Sequence, residues 1–141
     1  MKKAKRILVG LKEPDHAVEL TNLACRLGAR NASILLVHVI ELPDPTPLDV
    51  EVPDLETIAK KILRSSQRVA QRSGMKISTR VLRAHDAGEA LLDEMKENKI
   101  ELAVLGYHHR RTIGEILLGT TAKHVAKHAP CHILMNIPPR V

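Results

Sequence analysis

The sequence predicts a doubly wound α/β fold: a five-stranded parallel sheet covered by helices on both faces. Three observations carry this. Short apolar runs alternate with amphipathic stretches of helical period in the pattern βαβαβαβαβ over 141 residues. The second run, SILLVHVI, is almost continuously apolar, as in strands buried on both sides. The intervening stretches are long enough for the crossover helices that parallel neighbours require.

Each element has a local reason. Arg6 to Leu11 is too short for a buried helix and rich in strand formers, so it is strand 1. Pro14 and Asp15 open a helix whose face is Ala17, Leu20, Ala24 and Leu27, with Gly28 near its end. Ser33 to Ile40 is strand 2. Glu41 to Pro53 carries four prolines and is a loop, because the flanking pieces are too small to fold alone. A long helix follows with a stripe of Leu55, Ile58, Ala59, Ile62 and Val69, stopped at Ser73-Gly74. Met75 to Arg83 is strand 3. Asp86 caps a third helix with inner residues Ala87, Ala90, Leu91 and Met95. Leu102 to Leu105 is strand 4. A turn from Thr112 to Leu118 leads to a helix from Thr120 to about His128, which Pro130 ends, and Cys131 to Ile137 is strand 5.

Composition bounds the function. The length suits one domain, residues 1–141, and 44% apolar residues suffice for its core. No run approaches the roughly 18 apolar residues of a membrane helix, and the run after the basic start is too short for a signal peptide. A cytoplasmic protein is expected, without membrane insertion. Cys25 and Cys131 fit a reducing compartment as buried, inert thiols. The net charge is +6. Part of the excess is Lys2, Lys3, Lys5 and Arg6, and the remainder reads as dispersed. Tyr107 is the one aromatic residue, so the stacking platform for single-stranded nucleic acid is missing, and nucleic acid is not the expected partner.

In such a sheet a ligand sits beyond the carboxyl ends of the strands. The loops there are Gly10 to Pro14, the segment after Val39, and Gly106 onward. The stretch Gly106 to Thr121, GYHHRRTIGEILLGTT, is the strongest local signal. Glycine after a strand permits a sharp turn and close backbone approach. Gly119-Thr120-Thr121 at a helix start offers free N–H groups, hydroxyls and the positive end of the helix dipole. Lys12, Arg110 and Arg111 add cations, so a cationic hollow is expected.

The search for an enzyme is negative. There is no GxxxxGK loop, no GxGxxG and no GxSxG elbow. Glu13, Asp15 and Glu115 can reach the cleft, but no pair has acid–base spacing, and no catalytic residue is assigned. His124 and His128 are spaced as zinc ligands can be, yet Val125 replaces the glutamate of the zinc-protease motif, so no metal is expected. His38 reads as a hydrogen-bonded structural histidine.

The segment Leu102 to Leu134, above all Gly106 and GEILLGTTAKHVAKHAPCHIL, resembles the universal stress protein family. Arg6 to Gly10 and Val37-His38-Val39 match its first two strands. The resemblance implies a Rossmann-like sheet in the order 3-2-1-4-5 and pairing into a homodimer through Cys131 to Ile137. It also implies a regulatory, non-enzymatic role with ATP or another adenine nucleotide in the cleft. Gly106, Gly119 and Thr120 match the family's nucleotide motif, and its nine-residue spacing is kept between His109 and Gly119. The implied nucleotide contacts are Gly10, Leu11, Lys12, Val39, Leu105, Gly106, His109, Arg110, Gly119, Thr120 and Thr121.

Two positions depart from the pattern. His109 stands where a second glycine lets phosphate approach the backbone, and its side chain crowds that space. Lys12 stands where the family carries an acid that can serve ribose or a metal ion; lysine cannot coordinate magnesium. The cleft is therefore a degenerate version. RVLRAHDAGEALL, with the loop Glu41 to Pro47, is further similar to universal stress domains appended to amino-acid permeases, which implies a membrane transporter as an alternative partner. Weak ATP hydrolysis is the third reading.

Overall fold

The computed structural model describes residues 2–106 and 120–137. Nine elements follow in chain order: β1 (Ala4–Gly10), α1 (Pro14–Leu27), β2 (Gly28–Glu41), α2 (Pro53–Gln71), β3 (Lys76–Ala84), α3 (Ala87–Glu97), β4 (Leu102–Gly106), α4 (Thr120–His128) and β5 (His132–Asn136). The strands form one sheet in the order β3-β2-β1-β4-β5, with every neighbouring pair parallel. The expected fold class and strand order are both present. The expected turn from Thr112 to Leu118 lies outside the described residues.

Period-two alternation splits the core between the two faces of the sheet. Ile7, Val9, Ile34, Leu36, Leu102 and Val104 face α1 and α2, where they meet Leu20, Ala24 and Ile62. Leu8, Leu35, Val37, Ala103 and Leu105 face the other way, onto Leu91, Met95 and Val125 of α3 and α4. The three central strands are thus covered on both sides. Each large aliphatic side chain removed from water in this way contributes about 1.5–3 kcal/mol. The caps agree with local chemistry: Pro14 and Pro53 open their helices, and the Asp86 carboxylate accepts from the Glu89 amide at 3.2 Å.

Four expectations need correction. No loop separates α1 from β2. Gly28 takes an extended conformation directly after Leu27, and β2 runs to Glu41, so Glu41 belongs to a strand end. On α2 the buried stripe is Ala59, Ile62, Leu63, Ser66 and Ala70, whereas Leu55 and Ile58 are 39% and 41% exposed. Burial starts at Ala59, which packs against Ile40, Leu42 and Val52; the turn before it remains in water. On α3, Leu92 and Glu94 join the buried face while Ala87 and Ala90 are half-buried. Glu94 is tolerated there because Arg80 reaches it at 3.3 Å and the Asn98 side chain donates to it at 2.9 Å. Finally, both cysteines are half-buried rather than enclosed, and burial still raises the Cys131 thiol above its ordinary value, a backbone hydrogen bond with Ala103 opposing the shift.

The two edges of the sheet differ. β3 is largely exposed, and β5 presents Ile133, Leu134 and Met135 half-buried. Among the described residues no helix is long and apolar enough to cross a membrane.

Candidate functional site

All strands are parallel, so their carboxyl ends open on one end of the molecule. A cavity of about 280 Å³ lies there. β1 supplies Gly10 and the following Leu11, Lys12 and Glu13; β2 supplies Val37, Val39 and Glu41; β4 supplies Leu105 and Gly106. α1 adds His16 and Leu20, α3 adds Ala87 and Leu91, and α4 adds Thr120, Thr121 and Ala122.

The expected contact residues within the described chain meet at this one place: Gly10, Leu11, Lys12, Val39, Leu105, Gly106, Thr120 and Thr121 all line the cavity. His109, Arg110 and Gly119 lie outside the described residues. Sequence reasoning missed Leu20, Val37, Ala87, Leu91, Ala122, His16 and Glu41. The apolar ones read as ordinary core positions, because pattern alone does not distinguish a side chain at the upper edge of a core from one inside it. Asp15 is absent from the lining, and Glu13 is present.

Gly10 and Gly106 also serve a packing purpose that the sequence did not show. Among the described residues Gly74 is the sole glycine with positive φ, so neither Gly10 nor Gly106 uses the left-handed region. Their missing side chains make room. A Cβ on Gly10 would stand 2.6 Å from Cδ2 of Leu105, and one on Gly106 would stand 2.9 Å from Cδ1 of Leu20. Both glycines let large aliphatic side chains close over strand ends and form the cavity floor.

The loop after β1 is held on both sides of its first residue. The Leu11 amide donates to the Val37 carbonyl at 2.8 Å, and Nδ1 of buried His38 lies 2.7 Å from the Leu11 carbonyl. A carbonyl can only accept, so Nδ1 carries the proton. His38 is thus structural, in agreement with the sequence reading, and the bond holds the base of the Lys12 loop.

Of the cations expected at the cavity, Lys12 lines it, and Arg110 and Arg111 lie outside the described residues. The described lining also includes Glu13, His16 and Glu41, so that part of the wall is of mixed charge. The extension of β2 brings Glu41 there, and its carboxylate accepts from the Ala87 amide at 2.7 Å. Together with Asp86 it occupies the N-terminus of α3. The other helix start at the cavity is α4, with exposed Thr120 and half-buried Thr121. Glu89 of α3 pairs with Nε2 of His124 on α4, tying the two helices just behind the cavity. The His128 ring lies 4.7 Å from that of His124, and no group of three metal-ligating side chains occurs among the described residues.

This geometry defines a class: a doubly wound parallel α/β protein with a ligand-sized hollow at the carboxyl ends of its strands. The chain belongs to the universal stress protein family, whose model matches residues 3–136. A universal stress protein from Thermus aquaticus is 27% identical over 136 residues, covering 93% of this chain and 97% of the relative. The solved structure of a universal stress protein in complex with cAMP superposes with a TM-score of 0.72 at 22% identity, covering 96% of this chain and 98% of that one. A family member from Arabidopsis thaliana with AMP bound gives a TM-score of 0.63 at 17% identity, covering 96% and 92%.

Proposed function

We propose that this chain is a non-enzymatic regulatory domain whose cavity takes an adenine nucleotide. The observation that carries the reading is the convergence of Lys12, Gly106 and Thr120, from three separate elements, on one hollow. The hollow has two chemical halves. Val37, Val39, Leu105 and Leu91 provide an apolar slot suited to a base. Thr120 and Thr121 provide hydroxyls and first-turn amides at the start of α4. Glu41 and Asp86 already satisfy the start of α3, so a phosphate group is directed to α4 and to the Lys12 ammonium. Structures of relatives holding AMP and cAMP support an adenine nucleotide as the ligand class. Half-buried Ile133, Leu134 and Met135 on an edge strand support pairing of two copies through β5.

Calorimetric titration with AMP, ATP and cAMP, and with GMP as the control base, tests the reading. Saturable binding of an adenine nucleotide, weakened by Thr121→Val, is expected. Absence of heat with all three adenine nucleotides at millimolar concentration would leave the regulatory role without its ligand.

A further inference from the structure

The excess positive charge, which reads as scattered along the chain, is gathered by the fold onto one face. Parallel strands all begin at the end opposite the cavity, and their crossover helices all finish there. The strand starts bring exposed Lys2, Lys3, Lys5, Arg6, Arg30 and Lys76 to that end. The helix ends, with the residues just after them, bring exposed Arg26, Arg68, Arg72, Lys96, Lys99 and Lys127. This is more than half of the 22 lysines and arginines in the sequence. Among the described residues the carboxylates at this end are Glu94, Glu97 and Glu101, out of 16 in the chain, and Glu94 is buried and paired with Arg80. Glu101 is engaged by the Lys5 amide at 2.9 Å, and none of these cations is in an ion pair with a described carboxylate. Among the described residues the opposite end carries Glu13, Glu41, Asp86 and Glu89 together with the acidic loop before α2, alongside Lys12 and Arg83. The described charges are thus polarised along the strands.

Helix chemistry explains part of this. A cation in the last turn complements the helix dipole, which accounts for Arg26, Arg68, Lys96 and Lys127. It does not account for lysines and arginines at the starts of strands, where no such dipole exists. The base therefore carries more cations than the fold requires.

We propose that this basal face docks on an anionic lipid bilayer. The cations sit at the ends of elements in all three layers of the fold, so they form a broad array, with Lys2 and Lys3 on the rim of one open hollow and Arg26 and Arg72 on that of another. A sheet of headgroups needs only such an array, and each lysine or arginine near it raises partition about fivefold. Nucleic acid is the poorer fit. Every described helix presents its C-terminus here, so none of them offers first-turn amides to phosphate, and the described residues include no Phe, Trp or Tyr for stacking. Among the described residues the exposed large hydrophobics, Leu48, Val50, Leu55, Ile58, Val81 and Ile137, lie elsewhere, so attachment through this face is electrostatic and reversible. Docked by its base, the chain holds the ligand cavity toward the solvent, at the far end of the strands.

Sedimentation with vesicles tests this. One set is phosphatidylcholine alone; the other includes phosphatidylserine. Near 0.1 M salt the protein is expected to sediment with the anionic set only, and to come off in ~1 M salt, where screening acts within about 3 Å. The triple variant Lys3→Glu, Arg72→Glu, Lys127→Glu is expected to lose about a hundredfold or more in partition. Lys60→Glu, Lys61→Glu, Arg64→Glu removes as much charge from the middle of α2 and is expected to lose less than tenfold. Circular dichroism verifies that both variants fold. The proposal is overturned by equal binding to the two vesicle sets, by no binding to either, or by equal losses in the two variants. It is also overturned if duplex DNA at matched charge strips the protein from vesicles, which would assign the face to nucleic acid.

Discussion

His38 on β2 donates from Nδ1 to the carbonyl of Leu11, 27 residues earlier, across 2.7 Å of buried space. The bond joins the middle of the sheet to the first residue of the loop that presents Lys12 to the cavity. His38→Leu removes the donor and strands a buried carbonyl, which is expected to cost about 1–3 kcal/mol. His38→Asn can place an amide donor near the position of Nδ1 and is expected to recover part of that loss. Urea denaturation midpoints of the two variants check this, and equal stability for both would show that the bond carries no weight.

Gly10 and Leu105 are coupled by shape. Gly10→Ala places a methyl 2.6 Å from Cδ2 of Leu105, so Leu105 must move, at an expected cost of about 1–3 kcal/mol. In the background of Leu105→Ala the clashing atom is gone, and the Gly10 substitution is expected to cost much less. A double-mutant cycle on thermal or urea unfolding measures the coupling. Strict additivity would contradict the packing argument.

The proposed polarity of the ligand makes Lys12 and His109 act in opposite directions. Lys12→Glu replaces an attractive charge with a repulsive one and is expected to weaken AMP binding by roughly tenfold or more. His109→Gly restores the residue type that lets phosphate meet backbone and is expected to strengthen it. Calorimetry on both variants reads the two signs. A His109→Gly variant with unchanged affinity would reject the crowding argument.

Arg83 acts as a staple for the loop before α2. Its guanidinium donates to the Val50 carbonyl at 2.6 Å and to the Leu48 carbonyl at 3.4 Å, and it pairs with Glu56. Arg83→Ala is expected to loosen residues 43–52 while leaving the sheet intact. Limited proteolysis should then cut within that loop several times faster than in the wild type, with little change in the far-ultraviolet dichroism.

Burial lifts the Cys131 thiol above its ordinary value of 9.0. A raised folded-state value means that the contribution to stability is intact below the unfolded value and is lost as pH climbs through the folded one. Wild-type stability is therefore expected to fall on the alkaline side of pH 9.0 by more than that of Cys131→Ala. At neutral pH, alkylation of Cys131 should be slower than that of glutathione. Faster reaction would place the thiol in a different environment.

The linear order of strands and helices was legible because its signals are local. Apolar runs mark strands, Pro14 and Asp86 mark helix starts, and Gly106 with Thr120 and Thr121 marks a strand-end loop and a helix start. These features need no knowledge of distant partners. Three things were decided by tertiary structure. Leu55 and Ile58 carry the right period for a buried stripe, but whether a helical turn is covered depends on where its neighbours end. Glu41 enters the cavity because β2 is longer than its apolar core, so a residue that reads as loop becomes a wall. Lys2, Arg30, Lys76 and Lys127 are far apart along the chain, and only the parallel winding brings them to one face. Period and capping act over one or two helical turns, whereas cavities and fields are sums over elements whose relative placement is set by the packing of the sheet.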